Sequence, residues 1–413
     1  MRVEIFLIFC IFASTCQSEL DFKGNSDEVS RHGSCNEFVD VTWDYRAALY
    51  EFDITFYKAI AARNDLNFVY SPLSIWLTLA GIAEGVDPYT QHQLFNLLNL
   101  PKDPCIRQKY YQLATTRFSP SDDVYIINYR ALLTDTSVTI NPYWYNIIES
   151  YSLFNILTAP IKQNPVGTAA EIRWLMSARL PSLNLNGNSV LLETMDYSGL
   201  WTNAFGNAKI EKLPFFNQVG YQIGSVDMMR FKRRARMGYI KAIKCKVLEI
   251  PVGKNGRYKM LFMVFLNTHD PKEAVQGVTK NNVRELFENL RESYVPLDIA
   301  IPRIRLTSEV DVRVMLEDLG ITSLWNNPEA TRNISYPPVL PSSYIQRATL
   351  TIDNHGLQPS PIEREPAPGS PTGLHPIVGA DFIANRPFMF ALFDTETLTV
   401  LLASSYSTPT YRW

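Results

Sequence analysis

Five histidines, His32, His92, His269, His355 and His375, are scattered along the 413 residues. None forms a His-Glu-x-x-His zinc pair, and the sequence has no Gly-x-Ser-x-Gly nucleophile elbow and no Gly-x-x-x-x-Gly-Lys phosphate cradle. Serine, histidine and aspartate occur in any chain this long, so their presence marks no triad. No enzymatic activity and no cofactor or metal is expected. The densest charge feature is Lys232, Arg233, Arg234 and Arg236, followed by Lys241, Lys244 and Lys246. That run suits a polyanion, or is simply a solvated loop and strand face. The other unusual stretch is Gly356 to Gly379, which holds Pro359, Pro361, Pro366, Pro368, Pro371 and Pro376. A proline-rich run of this length inside a folded chain is a functional loop or a linker.

The rest of the chain must fold around these stretches, and its composition allows that. It is 46% hydrophobic and 12% aromatic with a net charge of −2, which excludes global disorder, collagen and a nucleic-acid-steering charge. Residues 1–18 read as a secretory signal: Arg2, an apolar run from Ile5 to Ala13, then the small residues Ser14, Cys16 and Ser18. The run falls short of the about 20 residues a membrane span needs. A polar extension, 19–42, follows. Export removes Cys10 and Cys16 and leaves Cys35, Cys105 and Cys245. That set allows one disulfide and a spare thiol, or three unpaired cysteines. Cys245, in an alternating run from Ile243 to Ile250, reads as a buried small hydrophobe.

Helical periodicity is clearest from Tyr45 to Ile60, and Pro72 opens a second helix with Ile75 and Leu79 inward. Leu94, Leu97 and Leu98 mark a third, stopped at Pro101. A fourth is expected over Ala169 to Leu180, with Ile172, Leu175 and Met176 facing inward, and a fifth over Glu309 to Leu319, closed by Gly320. Strands are expected at Val124 to Leu133, Val190 to Trp201, Val247 to Ile250, Tyr258 to Leu266 and Val295 to Ile304. Asn255-Gly256 reads as a hairpin turn. Phe388 to Phe393 and Leu398 to Leu402 are apolar throughout and predict a hairpin buried on both faces. No repeat or composition shift divides residues 43–413, so one α+β domain is expected. Because buried strands resume after the proline-rich run, that run is an exposed loop anchored at both ends.

Four stretches resemble one family. Asn67-Phe-Val-Tyr-Ser-Pro-Leu-Ser-Ile75 is similar to the start of the second helix of serpins. Leu297 to Gly320, with Ile301-Pro302-Arg303 and Leu316-Glu317-Asp318-Leu319-Gly320, resembles the family's proline-arginine strand and following helix. Phe382 to Leu392, with Asn385-Arg386-Pro387, resembles the signature after the reactive loop. Gly199-Leu200-Trp201 and Phe205 resemble the end of the long central strand. The resemblance implies a single-domain serpin fold of three β-sheets and roughly nine helices, with residues 356–380 as the exposed reactive loop. In inhibitory members the cleaved loop inserts into the main sheet as an extra strand, and that strand addition releases strain stored in the native state.

The hinge departs from the inhibitory pattern of glutamate, glycine, a small hydroxyl residue and alanines. Here Gly356 is kept, Leu357 replaces the hydroxyl residue, and Pro359 and Pro361 replace alanines. Proline brings no N–H to a central ladder. Period-two alternation puts Leu357, Pro359, Pro361, Glu363 and Glu365 on one face. The family register makes that the core face, where lone carboxylates are strongly unfavourable. In the family's switch region, Ser71, Ser74 and Trp201 are matched, whereas Glu193 stands for an asparagine and Gln346 for a histidine. Polar-for-polar exchange predicts a rewired hydrogen-bond network around the two serine hydroxyls.

Counting forward from Gly356 places the scissile bond at Ser370-Pro371; counting back from Asn385 places it near Pro376. Arg364 and Leu374 are the conventional alternatives, because a proline after the bond resists most serine proteases. The resemblance implies a secreted, extracellular serine-protease inhibitor whose loop is unsuited to trapping. A working suicide-substrate inhibitor and a non-inhibitory carrier on the same scaffold are the alternatives. An extracellular serine protease is the expected partner, with a sulfated polysaccharide at Lys232, Arg233, Arg234 and Arg236 as a second. No nucleic acid or membrane partner is expected, and the chain is expected to be a monomer. Asn333-Ile334-Ser335 is its one Asn-x-Ser/Thr acceptor with a permitted middle residue, so a glycan is expected at Asn333.

Overall fold

Proline and a short polar residue start most of the early helices. After α1 (Thr42–Arg63), five successive helices begin at proline: α2 (Pro72–Ala83), α3 (Pro88–Leu98), α4 (Pro104–Thr115), α5 (Pro142–Ser150) and α6 (Pro165–Leu175). Proline is suited to the first helical position because its missing N–H has no helical acceptor there. The side chains of Asp87, Asp103, Asn141 and Asn164 accept from the next exposed N–H groups of α3 to α6. Each such cap contributes about 1 kcal/mol. Later in the chain come α7 (Lys280–Asn289), α8 (Val312–Asp318) and α9 (Ser323–Asn326). These are the nine α-helices among the described residues.

The computed structural model describes residues 39–63, 67–119, 124–176, 183–203, 205, 208–266, 276–358 and 381–409. The signal segment 1–18, most of the extension 19–42, and Pro359, Pro361, Arg364, Ser370, Pro371 and Leu374 lie outside the described residues.

Strands of three sheets surround the core. The main sheet has the order β13 (Ile304–Asp311), β15 (Pro341–Ile352), β16 (Gly356–Gln358), β5 (Ser189–Leu200), β2 (Val124–Asp135) and β4 (Asn155–Ala159). A seven-stranded sheet runs β1 (Phe68–Tyr70), β19 (Thr399–Tyr406), β18 (Phe388–Asp394), β10 (Tyr258–Phe265), β9 (Cys245–Val252), β8 (Arg236–Ile240) and β11 (Arg291–Glu292). The third is β17 (Phe382–Ile383), β12 (Leu297–Pro302), β7 (Gln222–Arg233) and β6 (Lys209–Phe216). A two-stranded pair, β3 (Thr139–Ile140) with β14 (Ser335–Tyr336), adds to the three expected sheets. The α+β architecture expected from the sequence is the one observed. Every residue of α2 is buried behind the main sheet, and both faces of the β18–β19 hairpin are covered.

Four boundaries differ from expectation. The fourth expected helix begins at Pro165, capped by Asn164, rather than at Ala169. Ile172 and Met176 are buried there. Glu309–Asp311 belong to β13, because they pair with Arg347, Gln346 and Ile345 of β15. The helix starts only at Val312, where Asp311 caps Val314 N–H. The strand expected over Val295 to Ile304 is broken at Arg303 into β12 and β13, which serve different sheets. The Asn255-Gly256 turn sits inside a longer β9–β10 connection, with Gly253 and Gly256 both at positive φ.

Candidate functional site

Beyond β15 the chain reverses in a tight turn. The Asp353 carboxylate accepts from the N–H groups of His355 (2.7 Å) and Gly356 (3.1 Å), and the Asp353 N–H donates to Gly356 C=O (3.0 Å). The turn is pinned from the side of β5. Trp201 Nε1 donates to Asp353 C=O at 2.8 Å, and the N–H groups of Trp201 and Phe205 donate to His355 and Asn354 carbonyls. Trp201 and Phe205 stack at 5.1 Å, and Phe205 stacks in turn on Phe231 of β7 at 3.9 Å. The short strand that emerges, β16, wedges between the upper ends of β15 and β5 and runs antiparallel to both.

Gly356 is required there by contact rather than by conformation alone. A Cβ on it would lie 2.2 Å from the Gly199 carbonyl oxygen and 2.7 Å from Leu200 Cα. Leu357 is fully buried, facing Gly199 on one side and Ile352 on the other. The return end of the loop is anchored in a different sheet. β17 pairs parallel with β12, Asp381 N–H donates to Asp298 C=O (2.9 Å), and Lys246 Nζ donates to Asp381 C=O (2.9 Å). Residues 359–380 therefore connect the top of the main sheet to the edge of the four-stranded sheet.

Below β16 the strands β15 and β5 pair directly and in parallel, from Tyr344 opposite Leu191 to Thr349 opposite Asp196. The centre of that seam is a buried polar network. Glu193 accepts from Thr78 Oγ1 (2.6 Å), Gln346 Nε2 (2.7 Å) and the Tyr344 hydroxyl. Gln346 also accepts from Ser71 N–H (2.7 Å) and donates to Ser71 C=O (3.0 Å), tying α2 to β15. Burial and the adjoining Glu193 carboxylate hold the Tyr344 hydroxyl well above its usual range. Arg130, paired with Glu193 across β2 and β5, is pushed down to about 10 by burial, with Glu193 opposing that fall.

Glu193 and Gln346 thus come together, but they do not hold the serine hydroxyls. Ser74 Oγ accepts from Asn128 Nδ2 (2.9 Å), and Ser71 Oγ is buried without a hydrogen bond. Thr78, Asn128, Arg130 and Tyr344 complete the network unannounced by any motif. The one available signal is their core-facing parity on helix and strand.

Two arginines of the basic run are engaged within the chain. Arg236 pairs with Glu249 (2.9 Å), and the Arg233 guanidinium lies 5.6 Å from the Phe205 ring centre while donating to Asn203 C=O (3.1 Å). Lys232, Arg234 and Arg236 are exposed, as are Lys241 and Lys244 farther along. Asn333 is exposed, and its carbonyl accepts from Asn141 Nδ2 (2.8 Å). Cys105 is disulfide-bonded, and Cys245 is a free buried thiol. Among the described residues no group of three His, Cys, Asp or Glu side chains could hold a metal, and no helix is long and apolar enough to cross a membrane.

A mixed sheet with a loop strand wedged at its top, and the loop returning to a second sheet, defines the serpin architecture. The family described as Serpin (serine protease inhibitor) matches residues 47–409, and the chain belongs to it. An uncharacterized serpin-like protein of Methanosarcina mazei is 21% identical over 438 residues, covering 100% of this chain and 99% of its own length. The structure of mouse protein-Z dependent protease inhibitor aligns with a TM-score of 0.75 at 18% identity, over 90% of this chain and 98% of that one. Human thyroxine-binding globulin complexed with thyroxine aligns equally well, with a TM-score of 0.75 at 17% identity, over 90% of this chain and 100% of that one. The family contains protease inhibitors rather than proteases, together with non-inhibitory members.

Proposed function

We propose that this serpin presents its loop to an extracellular serine protease as a substrate and does not trap the enzyme. The observation that supports this is the register of Leu357. Continued downward, the same antiparallel pairing would set Pro359 between Tyr197 and Leu350, and Pro361 between Met195 and Ala348. Glu363 would enter between Glu193 and Gln346, and Glu365 between Leu191 and Tyr344. All eight flanking residues are buried. Insertion would break the Glu193–Gln346 bond, lose two ladder donors, and set one carboxylate beside another in the core. Unpaired ladder acceptors cost roughly 1–3 kcal/mol each, and buried unpaired charge costs more.

Incubation with trypsin tests this reading. Clean cleavage, first at Arg364, with no SDS-resistant complex is the expected result. A covalent complex that survives SDS would overturn it in favour of trapping inhibition. First cleavage elsewhere would move the bait away from Arg364.

Export through the 1–18 signal belongs to the same proposal. The disulfide at Cys105 supports an oxidising compartment, since such bonds persist there and are rare in the cytosol. With Asn333 at the surface, glycosidase treatment of the secreted protein should lower its mass by one glycan. An unchanged mass would show the acceptor unused. A polysaccharide partner receives little support, because Arg233 and Arg236 are engaged within the chain.

A further inference from the structure

The end of β7 joins the two feet of the loop. At the departing foot, Phe205 N–H holds the Asn354 carbonyl, and the Arg233 guanidinium lies over the Phe205 ring. At the returning foot, Asp381 N–H donates to Asp298 C=O (2.9 Å) and the Asp381 carboxylate accepts from Asp298 N–H (2.8 Å). Asp298 in turn lies directly across from Lys232. Arg230 is occupied by Asp298 at 2.6 Å, whereas Lys232 and Arg234 stand exposed. The β8–β9 turn adds exposed Lys241 and Lys244, just before Lys246, whose Nζ donates to Asp381 C=O. The neighbouring acids are fewer: besides Asp298 and Asp381 there is Glu292, opposite Arg236. A chain with a net charge of −2 thus carries a basic surface where its loop is rooted.

An apolar pair stands beside these cations. Ser293 N–H donates to Ala235 C=O (3.0 Å) and Ala235 N–H to Ser293 Oγ (3.2 Å), which brings the following residues, Tyr294 and Val295, beside the end of the basic run. They are 93% and 66% exposed, and Tyr294 is the most exposed large hydrophobic residue among those described. A polyanion would use the cations but not a tyrosine and a valine, whereas tyrosine and arginine recur at the energetic centres of protein–protein contacts. Reach points the same way. Arg364 is six residues beyond Gln358, so the chain can carry it at most about 22 Å from β16. A protease of about 220 residues has a radius of gyration of about 17 Å, so one that cuts there brings its rim down on this surface.

We infer that the surface at the foot of the loop is a second contact for the protease that cuts it, and that it favours a serine protease with an acidic rim around its active site. This rests on a protease meeting the loop, and adds which kind of protease is met. Anionic and cationic trypsin share a preference for arginine and lysine and differ in surface charge. With the free peptide 359–380 as the reference substrate for each enzyme, kcat/KM for cutting the full chain within the loop should favour the anionic form about tenfold at low salt. That advantage should vanish toward 1 M salt, where charges are screened within about 3 Å. Lys232→Glu, Arg234→Glu, Lys241→Glu and Lys244→Glu together should turn the preference to the cationic form; should that variant fail to fold, the salt series on the parent serves. Tyr294→Ser should slow the anionic enzyme about fivefold, the loss of one central contact. Equal ratios, a preference indifferent to salt or to the fourfold change, or an unchanged rate on Tyr294→Ser would overturn the assignment. Heparin retention that the fourfold change abolishes, with equal trypsin ratios, would assign the surface to a polysaccharide instead. An SDS-resistant complex would overturn only the non-trapping reading, since the rate of attack on the loop is measured either way. No cut within 359–380 by either enzyme would overturn both.

Discussion

Replacing Pro359, Pro361, Glu363 and Glu365 together by alanine should make the cleaved protein far harder to melt than the uncleaved one. In the parent, cleavage within the loop should leave the melting temperature within a few degrees, because the new strand cannot complete the ladder between β5 and β15. The fourfold variant removes the obstacles that the Leu357 register brings to the seam: two missing N–H donors, and two carboxylates set among Leu191, Glu193, Tyr344 and Gln346. A completed antiparallel strand should then raise the melting temperature on the order of 15–30 °C, as for a large stabilisation. Calorimetry before and after cleavage compares the two chains directly, provided that both are cut at the same bond beyond Glu365, since a cut after Arg364 leaves Glu365 on the C-terminal piece. If the parent itself gains that much on cleavage, the loop inserts despite its prolines and acids, and trapping returns.

Glu193→Ala should have the largest single-residue effect on the uncleaved protein. It strips the acceptor from Thr78, Tyr344 and Gln346 at once, all of them buried. Breaking one side of a buried charged network costs about 3–5 kcal/mol, which for a domain of this size lowers the melting temperature by roughly 4–6 °C. Glu193→Gln keeps an acceptor oxygen and should lose about half as much. The two variants also separate packing from polarity, since glutamine nearly conserves the volume. Equal losses in both would show that charge, rather than the acceptor count, holds the seam.

Local signals make much of this legible from sequence. Pro72 and the apolar spacing after it locate α2, and the apolar runs at Phe388 and Leu398 locate a hairpin that is covered on both faces. Two of the boundaries that differ share one cause, a distant partner overriding local preference. Glu309–Asp311 have helical neighbours in sequence but are drawn into the ladder by β15. Val295 to Ile304 is continuous in β propensity, yet Arg303 hands the chain from one sheet to another. The Glu193 network is out of reach for the same reason. Its donors Thr78 and Tyr344 are separated from it by 115 and 151 residues, so only the fold can bring them together. Gly356 and Leu357 stand out by resemblance, but the close approach that demands glycine is a property of the β5 backbone.

The two ends of the loop are held by different sheets, and this decides what a cut does to the molecule. The strands after the loop are built into the body: β17 lies against β12, and β18 and β19 sit between β10 and β1 in the seven-stranded sheet. Phe388, Leu392, Leu401, Leu402 and Tyr406 are fully or almost fully buried. The C-terminal piece released by proteolysis is therefore an internal part of the body and has no way to leave it without dissolving the core. A nicked molecule persists as two chains in one particle, inseparable by gel filtration and parted only by denaturant. Its exterior outside the loop stays that of the intact protein, while two new chain ends mark it as having met a protease.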